Sequence, residues 1–411
     1  MKLSKIQNKN YLTLISILWP FLGVIMAIKY YNKFSTKNAI YAFFVLFGFT
    51  LVVDPVMDSS RYAERLKDDY SKPFEETSFY FRITNLYEES LDFSQSLINF
   101  IVSRFTDSHH ILFALYAIIF GFFWLKTLNY LNSHFSFNKN IMTIIYAVFL
   151  IFLIPIFNIN GFRMWTAAWI FLYGAFHIIL TKNPKYFLFC LAACSFHYSF
   201  ITANALLLVW YFIGNHKWAY LAFALISFTI AELNLSFVQS FAESLGPAFS
   251  TKANAYTSEE YVEQVSNLKS NDAWFMVLSP KLIKYLLLIN ILRFFYISCK
   301  NFKIPKPELN LLNFTLLFLG YSNLMSVIPS GGRFVLVFNV FGAVLSIVLF
   351  SKYLNIKINS IYGLTSLGVA LLATLITIRA AAPSINTILF APSFLIPFGY
   401  DLDWSLTTWL F

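Results

Sequence analysis

The sequence predicts an all-α polytopic membrane protein of about ten to twelve transmembrane helices, folded as one helical domain over 1–411. Two observations carry that expectation. Fifty-eight per cent of the residues are hydrophobic and only 12% are charged, with a mean hydropathy of +0.64. A soluble domain carries about a quarter charged residues, so half the usual charge is missing. Apolar runs near the ~20 residues that span ~30 Å of hydrocarbon also recur along the whole chain.

The expected spans are 11–28, 39–53, 110–128, 141–158, 164–180, 186–213, 218–235, 282–299, 309–328, 334–350 and 361–378. The first runs on into the second without a small-residue cleavage site, so it is not a cleavable signal peptide. With Pro20 near its centre it either spans or lies in the interface. Segment 186–213 is too long for one tidy crossing and carries Ser195-Phe196-His197-Tyr198-Ser199 in its middle. It reads as a broken tilted helix or a tight hairpin. Three external parts are expected. Loop 54–109 contains an amphipathic helix marked by Leu91, Ile98, Ile101, Val102 and Phe105, loop 236–280 is polar, and tail 379–411 ends near the interfacial anchors Trp404 and Trp409.

Charge sets the orientation. Loops 29–38, 126–140, 181–185, 214–217, 300–308 and 351–360 together hold thirteen lysines against one acid, Glu308. Cytoplasmic loops are enriched in basic residues, so this side faces in. The assignment requires 186–213 to cross twice or do something equivalent, since a single crossing would put the acidic 236–272 inside. Lys2, Lys5 and Lys9 run against the rule if 11–28 spans. The net charge of +10 does not indicate nucleic acid, because the lysines are scattered through short loops. Cys190, Cys194 and Cys299 lie in or beside apolar segments without a ligand motif, and neither disulfide nor metal is expected.

Arginines follow a different rule. Arg61, Arg65, Arg82, Arg104, Arg163, Arg333 and Arg379 fall at the opposite end from the lysines, and only Arg293 lies in the inner half of a span. Such a set either pairs with the external acids or recognises phosphate or carboxylate bidentately. Four stretches gather the candidates. DPVMDSSRYAE places Asp58, Arg61 and Tyr62 just after the second span. GFRMWTAAWIFLYG opens a span with Arg163, which either snorkels to the headgroups or serves a functional site. SFHYSFI puts His197 at a bend, as a helix contact or a hydrogen-bonding group. PSGGRF is a turn that sets Arg333 on the first turn of a helix, where an anion is favoured.

In the order of these elements, from the Asp58-Ser59-Ser60-Arg61-Tyr62 stretch to Arg163, His197 and Arg333, the chain resembles the EpsG family of exopolysaccharide polymerases, related in function to the Wzy O-antigen polymerases. The resemblance covers roughly 40–350. It departs from the family's usual first motif at Asp58. It implies a GT-C-like glycosyltransferase architecture in the bacterial plasma membrane, with the site on the extracytoplasmic face. The implied partners are an oligosaccharide repeat on undecaprenyl pyrophosphate as donor, another as acceptor, membrane lipids, and a chain-length regulator. No cofactor or nucleic acid is implied, and no glycine fingerprint for a nucleotide sugar is present.

In that chemistry Arg163, Arg333 and, more weakly, Arg61 would bind the pyrophosphate. Asp58 or His197 would act as base, with Glu259 and Glu260 as outsiders, and Tyr62 and Tyr256 would pack on sugars. An O-antigen ligase, a lipid-linked-sugar flippase, an acyltransferase and a metabolite transporter are the competing readings.

Overall fold

The computed structural model describes residues 14–29, 34–55, 57–74, 92–138, 140–230, 273–300, 303–328 and 330–398, with isolated positions between 239 and 258 and residues 405–407. Tyr256, Glu259, Glu260, Leu91, the N-terminal lysines and both tail tryptophans lie outside the described residues. Within them the regular secondary structure is helical, joined by short turns and irregular stretches, with one isolated bridge between Asn386 and Ser405.

The helices are α1 (Pro20–Lys29), α2 (Phe34–Phe49), α3 (Asp58–Ser71), α4 (Phe93–Ser103), α5 (His109–Phe135), α6 (Ile141–Leu153) and α7 (Phe162–Thr181). They continue as α8 (Phe187–Phe196), α9 (Phe200–Ile213), α10 (Lys217–Ser227), α11 (Trp274–Lys300), α12 (Lys306–Val327), α13 (Arg333–Val348) and α14 (Ile361–Ala381). Five described stretches are long and apolar enough to cross a membrane: His109–Phe135, Ile141–Thr181, Trp274–Lys300, Arg333–Tyr353 and Ile361–Ser384. Shorter apolar helices fill in around them. The chain is therefore a multi-pass helical membrane protein.

Local chemistry explains the breaks. Pro20 opens α1, where its missing N–H costs nothing. Pro155 ends the run of α6, and a 3-10 turn (Ile156–Gly161) carries the chain into α7. Side chains of Asn140 and Ser360 accept from the third N–H of α6 and α14 and fix where those helices begin.

Hydrogen bonds between distant segments sort the helix ends into two sets. At one end Asn138 and Asn140 bond to Ser351 and Phe350, Asn310 bonds to Asn215 and to the Ile179 carbonyl, and the Tyr211 hydroxyl donates to the Lys182 carbonyl. Lys352 pairs there with Glu308 at 2.8 Å. At the other end His110 bonds to the Phe49 carbonyl, Val52 and Asn160 bond to Ser384, and Arg163 bonds to Tyr62. The first is a lysine end and the second an arginine end, as the charge count required.

The long segment 186–213 is a helical hairpin. α8 and α9 have their feet at the lysine end, and the Asn204 amide donates across the hairpin to the Cys190 carbonyl at 2.7 Å. The apex, His197 to Ser199, lies at the arginine end. Two passes, not one, start α10 at the lysine end, where Lys217 bonds to the Ser298 carbonyl, and end it at the other, where Ser227 accepts from Asn323. Gly174 of α7 lets α8 lie close: a Cβ there would stand 2.8 Å from the Tyr186 carbonyl oxygen.

α12 runs through the middle of the bundle, packed by α7, α10 and α13 and buried continuously from Asn310 to Asn323. The expected amphipathic helix of the first external loop is α4. It turns its polar face, Ser94, Gln95, Asn99 and Ser103, to the protein and leaves Phe93, Ile101 and Phe105 exposed. That orientation suits a helix whose outer face meets an apolar phase.

Candidate functional site at the arginine end

Two helices begin here with a cation. Arg163 is the second residue of α7 and Arg333 the first of α13, and neither first turn contains an acid. Positive charge at a helix N-terminus opposes the macrodipole, so each arginine needs an anion from elsewhere. For Arg163 that anion is Asp92, just ahead of α4. Its Oδ2 lies 3.1 Å from Arg163 Nη1, while the Asp92 side chain is only 2% exposed. Arg163 Nε donates to the Tyr62 hydroxyl at 3.2 Å, and the guanidinium lies over the Tyr62 ring.

Tyr62 is held in turn. Its carbonyl accepts from Asn99, and its ring meets Tyr116 edge-on. Tyr116 donates to Asn99 Oδ1 at 2.7 Å and stacks flat on Phe162 at 3.7 Å. Burial pushes the Tyr62 phenol up, and the neighbouring Arg163 offsets only part of that, so the hydroxyl stays protonated at neutral pH.

The hairpin apex closes on the same carboxylate. The backbone N–H of Tyr198 donates to Asp92 Oδ1 at 2.8 Å, and the hydroxyls of Ser94 and Ser195 are 2.7 Å apart. His197 is buried, and its Nδ1 sits 2.7 Å from the Ser199 hydroxyl. His197 is therefore part of the apex's own wiring.

Beside this cluster lies a cavity of about 520 Å³. Asp58 and Arg333 both line it, with Asn158, Asn160, Trp165 and Thr377 as further polar or aromatic wall. Leu153, Met164, Leu336 and Ile376 supply apolar wall. Arg333 is half-buried, and its side chain has no hydrogen bond or ion pair among the described residues. Its placement depends on Gly331, where a Cβ would collide with the Met325 carbonyl at 1.9 Å. Gly332 next to it meets nothing, so only the first glycine of the turn is sterically required.

The structure brings together Asp58, Tyr62, Arg163, Arg333 and the His197 turn, in two linked groups. Asp58 and Arg333 face the cavity. Arg163 stands at its edge, between the lining residues Gly161 and Met164, and is engaged by Asp92 and Tyr62. Arg61 pairs with Asp58 one turn away on α3, and its side chain is 73% exposed. Tyr256 lies outside the described residues. Sequence reasoning missed Asp92 and the cavity residues Asn160 and Thr377. Asp92 is one of several acids in a long loop, with Glu88 and Glu89 just before it, and nothing in the sequence singles it out. Among the described residues no group of His, Cys, Asp and Glu is arranged to hold a metal.

The sequence matches the family model of the EpsG family over residues 68–392. No curated protein and no solved structure matches it.

Proposed function

The chain belongs to the EpsG family, a family of membrane proteins with a polysaccharide polymerase role, and on that premise we propose that it joins lipid-pyrophosphate-linked oligosaccharide repeats into a surface polysaccharide. The reaction would take place at the arginine end, on the extracytoplasmic face of a bacterial plasma membrane. The observation that carries this reading is the shared cavity, lined both by the Asp58 carboxylate and by a helix-N-terminal arginine that has no ion pair among the described residues.

In the proposed step a sugar hydroxyl of the acceptor repeat attacks the anomeric carbon of the donor glycan. The carbon–oxygen bond to the pyrophosphate breaks, and polyprenyl pyrophosphate leaves with the electron pair. The hydroxyl's proton passes to the Asp58 carboxylate. The transition state is oxocarbenium-like, and the developing charge sits on a leaving group that needs no protonation. Arg333, the α13 N-terminus and the outward edge of Arg163 would stabilise that charge, at roughly 3 kcal/mol per well-placed donor. Arg61, paired with Asp58, would orient it. His197 would shape the apex, with Ser199 as its partner. A cavity of about 520 Å³ is in the range of sites that enclose a small ligand, enough for the diphosphate and the reacting sugar.

A flippase would need a polar path through the other half of the bundle. There one polar cluster is paired within itself, although Nη1 of Arg293, whose guanidinium lies over the Tyr362 ring, has no hydrogen-bond partner among the described residues. Asn290 donates to Tyr146 and Ser346 and accepts from Tyr362, and Tyr146 reaches Ser366. These bonds tie α6, α11, α13 and α14 together and leave the paired groups no lone pair or proton aimed along a path. An O-antigen ligase would use the same donor and differ only in acceptor.

The test is the ladder of lipid-linked glycans in cells whose only copy carries Arg333→Gln. Single repeats should accumulate on lipid at the outer leaflet with polymer lost, and Arg333→Lys should recover part of it. Normal chain lengths from Arg333→Gln would refute the assignment. Repeats trapped on the inner leaflet would indicate a flippase, and polymer formed but not attached to a final acceptor would indicate a ligase.

A further inference from the structure

We propose that Asp92 is a positioning residue of this site, orienting the Arg163 guanidinium and docking the α8–α9 hairpin against it. The inference rests on the polymerase reading of Arg163 and adds a residue which that reading does not use.

The geometry is specific. One oxygen of Asp92 takes Arg163 Nη1 at 3.1 Å and the other takes the Tyr198 backbone N–H at 2.8 Å. With Tyr62 on Nε, two of the three guanidinium nitrogens are spoken for, and Nη2 makes no hydrogen bond among the described residues. A planar guanidinium held on two edges presents its third in a fixed direction, which a flexible arginine cannot do. The carboxylate is nearly inaccessible while the arginine is 27% exposed, so the pair is open only on the arginine's side. Asp92 also balances a cation that the α7 N-terminus would otherwise repel.

The second bond carries the structural consequence. The apex belongs to a hairpin whose feet are at the far end of the bundle, and two contacts, Tyr198 N–H to Asp92 and Ser195 to Ser94, fasten it to the segment entering α4. Arg163 is therefore in register only while the apex is docked. A small displacement of a positioned group is enough to cost about 10²-fold in rate.

The experiment uses the full chain in lipid nanodiscs with lipid-linked repeats as substrate, and compares wild type, Asp92→Asn, Asp92→Glu, Arg163→Gln and the double variant Asp92→Asn/Arg163→Gln. Arg163→Gln should lower the rate about 100-fold. Asp92→Asn keeps the acceptor for Tyr198 but loses the charge, and should lower the rate at saturating substrate on the order of tenfold or more. The double variant should be no slower than Arg163→Gln alone, because both changes remove one unit. Losses that multiply would overturn the proposal, since Asp92 would then act independently of Arg163. Asp92→Glu keeps the charge but moves it by one methylene, so it should also be slowed; a wild-type rate there would overturn the geometric claim even if Asp92→Asn failed to fold. Full activity in Arg163→Gln would instead sink the polymerase role of Arg163. Full activity in Asp92→Asn with loss in Arg163→Gln would sink only the present inference.

Discussion

Substituting Gly174 by alanine tests whether the hairpin packs on α7 as described and whether that packing matters to the site. The added Cβ would stand 2.5 Å from Cys190 Sγ, 2.8 Å from the Tyr186 carbonyl oxygen and 3.2 Å from the Cys190 nitrogen. Ordinary contact begins at 3.4 Å, so the Tyr186 backbone, which cannot rotate away, must retreat from 2.8 Å to that distance. Forcing a methyl group into a packed contact costs about 1–3 kcal/mol. Cys190→Ala removes the sulfur contact but not the carbonyl one, so the double variant should recover part of the loss and not all of it. Because α8 leads directly to Ser195 and Tyr198, the shift is transmitted to Asp92 and Arg163. The assay is apparent Tm in detergent together with glycan chain length in cells. Gly174→Ala should lower both. Wild-type Tm and wild-type polymer in that variant would refute the packing of α8 on α7.

Other perturbations read different parts of the structure. Tyr62→Phe deletes the acceptor of Arg163 Nε, a loss of about 1 kcal/mol that should appear as a roughly fivefold slower reaction without loss of protein in the membrane. At the lysine end Lys352→Met leaves Glu308, 2% exposed, without its cation and should destabilise by about 3–5 kcal/mol. Glu308→Gln leaves only an ammonium that is 33% exposed and able to reach water, so its Tm should fall less; the reverse order would contradict the burial of Glu308. In a cysteine-free background, Lys182→Cys and Asn215→Cys should react with an impermeant maleimide from one side of the membrane and Arg61→Cys from the other. Labelling of 182 and 215 from opposite sides would exclude the hairpin.

The helical class and the two-sided charge pattern were legible because each is a sum over many residues. The need for a double pass at 186–213 was also legible, since one misplaced acidic loop would have broken the charge rule. The two forms of that pass, bend or hairpin, could not be told apart, because the deciding bond joins Asn204 to a carbonyl fourteen residues back through folded space. The site was legible by residue type and not by connection. Arg163, Arg333 and Asp58 stand out as charges at membrane depth, whereas Asp92 acquires meaning only through partners on α7 and at the hairpin apex. The inward polar face of α4 was similarly hidden. Its apolar spacing is plain in the sequence, but which face meets protein depends on what the neighbouring Tyr62 and Tyr116 need as hydrogen-bond partners.

The burial of α12 bears on how the chain is made. This helix carries Asn310, Asn313 and Asn323 along a length shielded from lipid by its neighbours, and it is not among the stretches apolar enough to cross unaided. Amides are costly in bare hydrocarbon, so on emerging from the ribosome α12 has little drive to partition sideways from the translocon. Its integration must await α7 and α10, already synthesised and supplying the Ile179 carbonyl and the Ser227 hydroxyl as acceptors. Biogenesis of the protein is then ordered, with late consolidation around a strand of sequence that its predecessors chaperone into place.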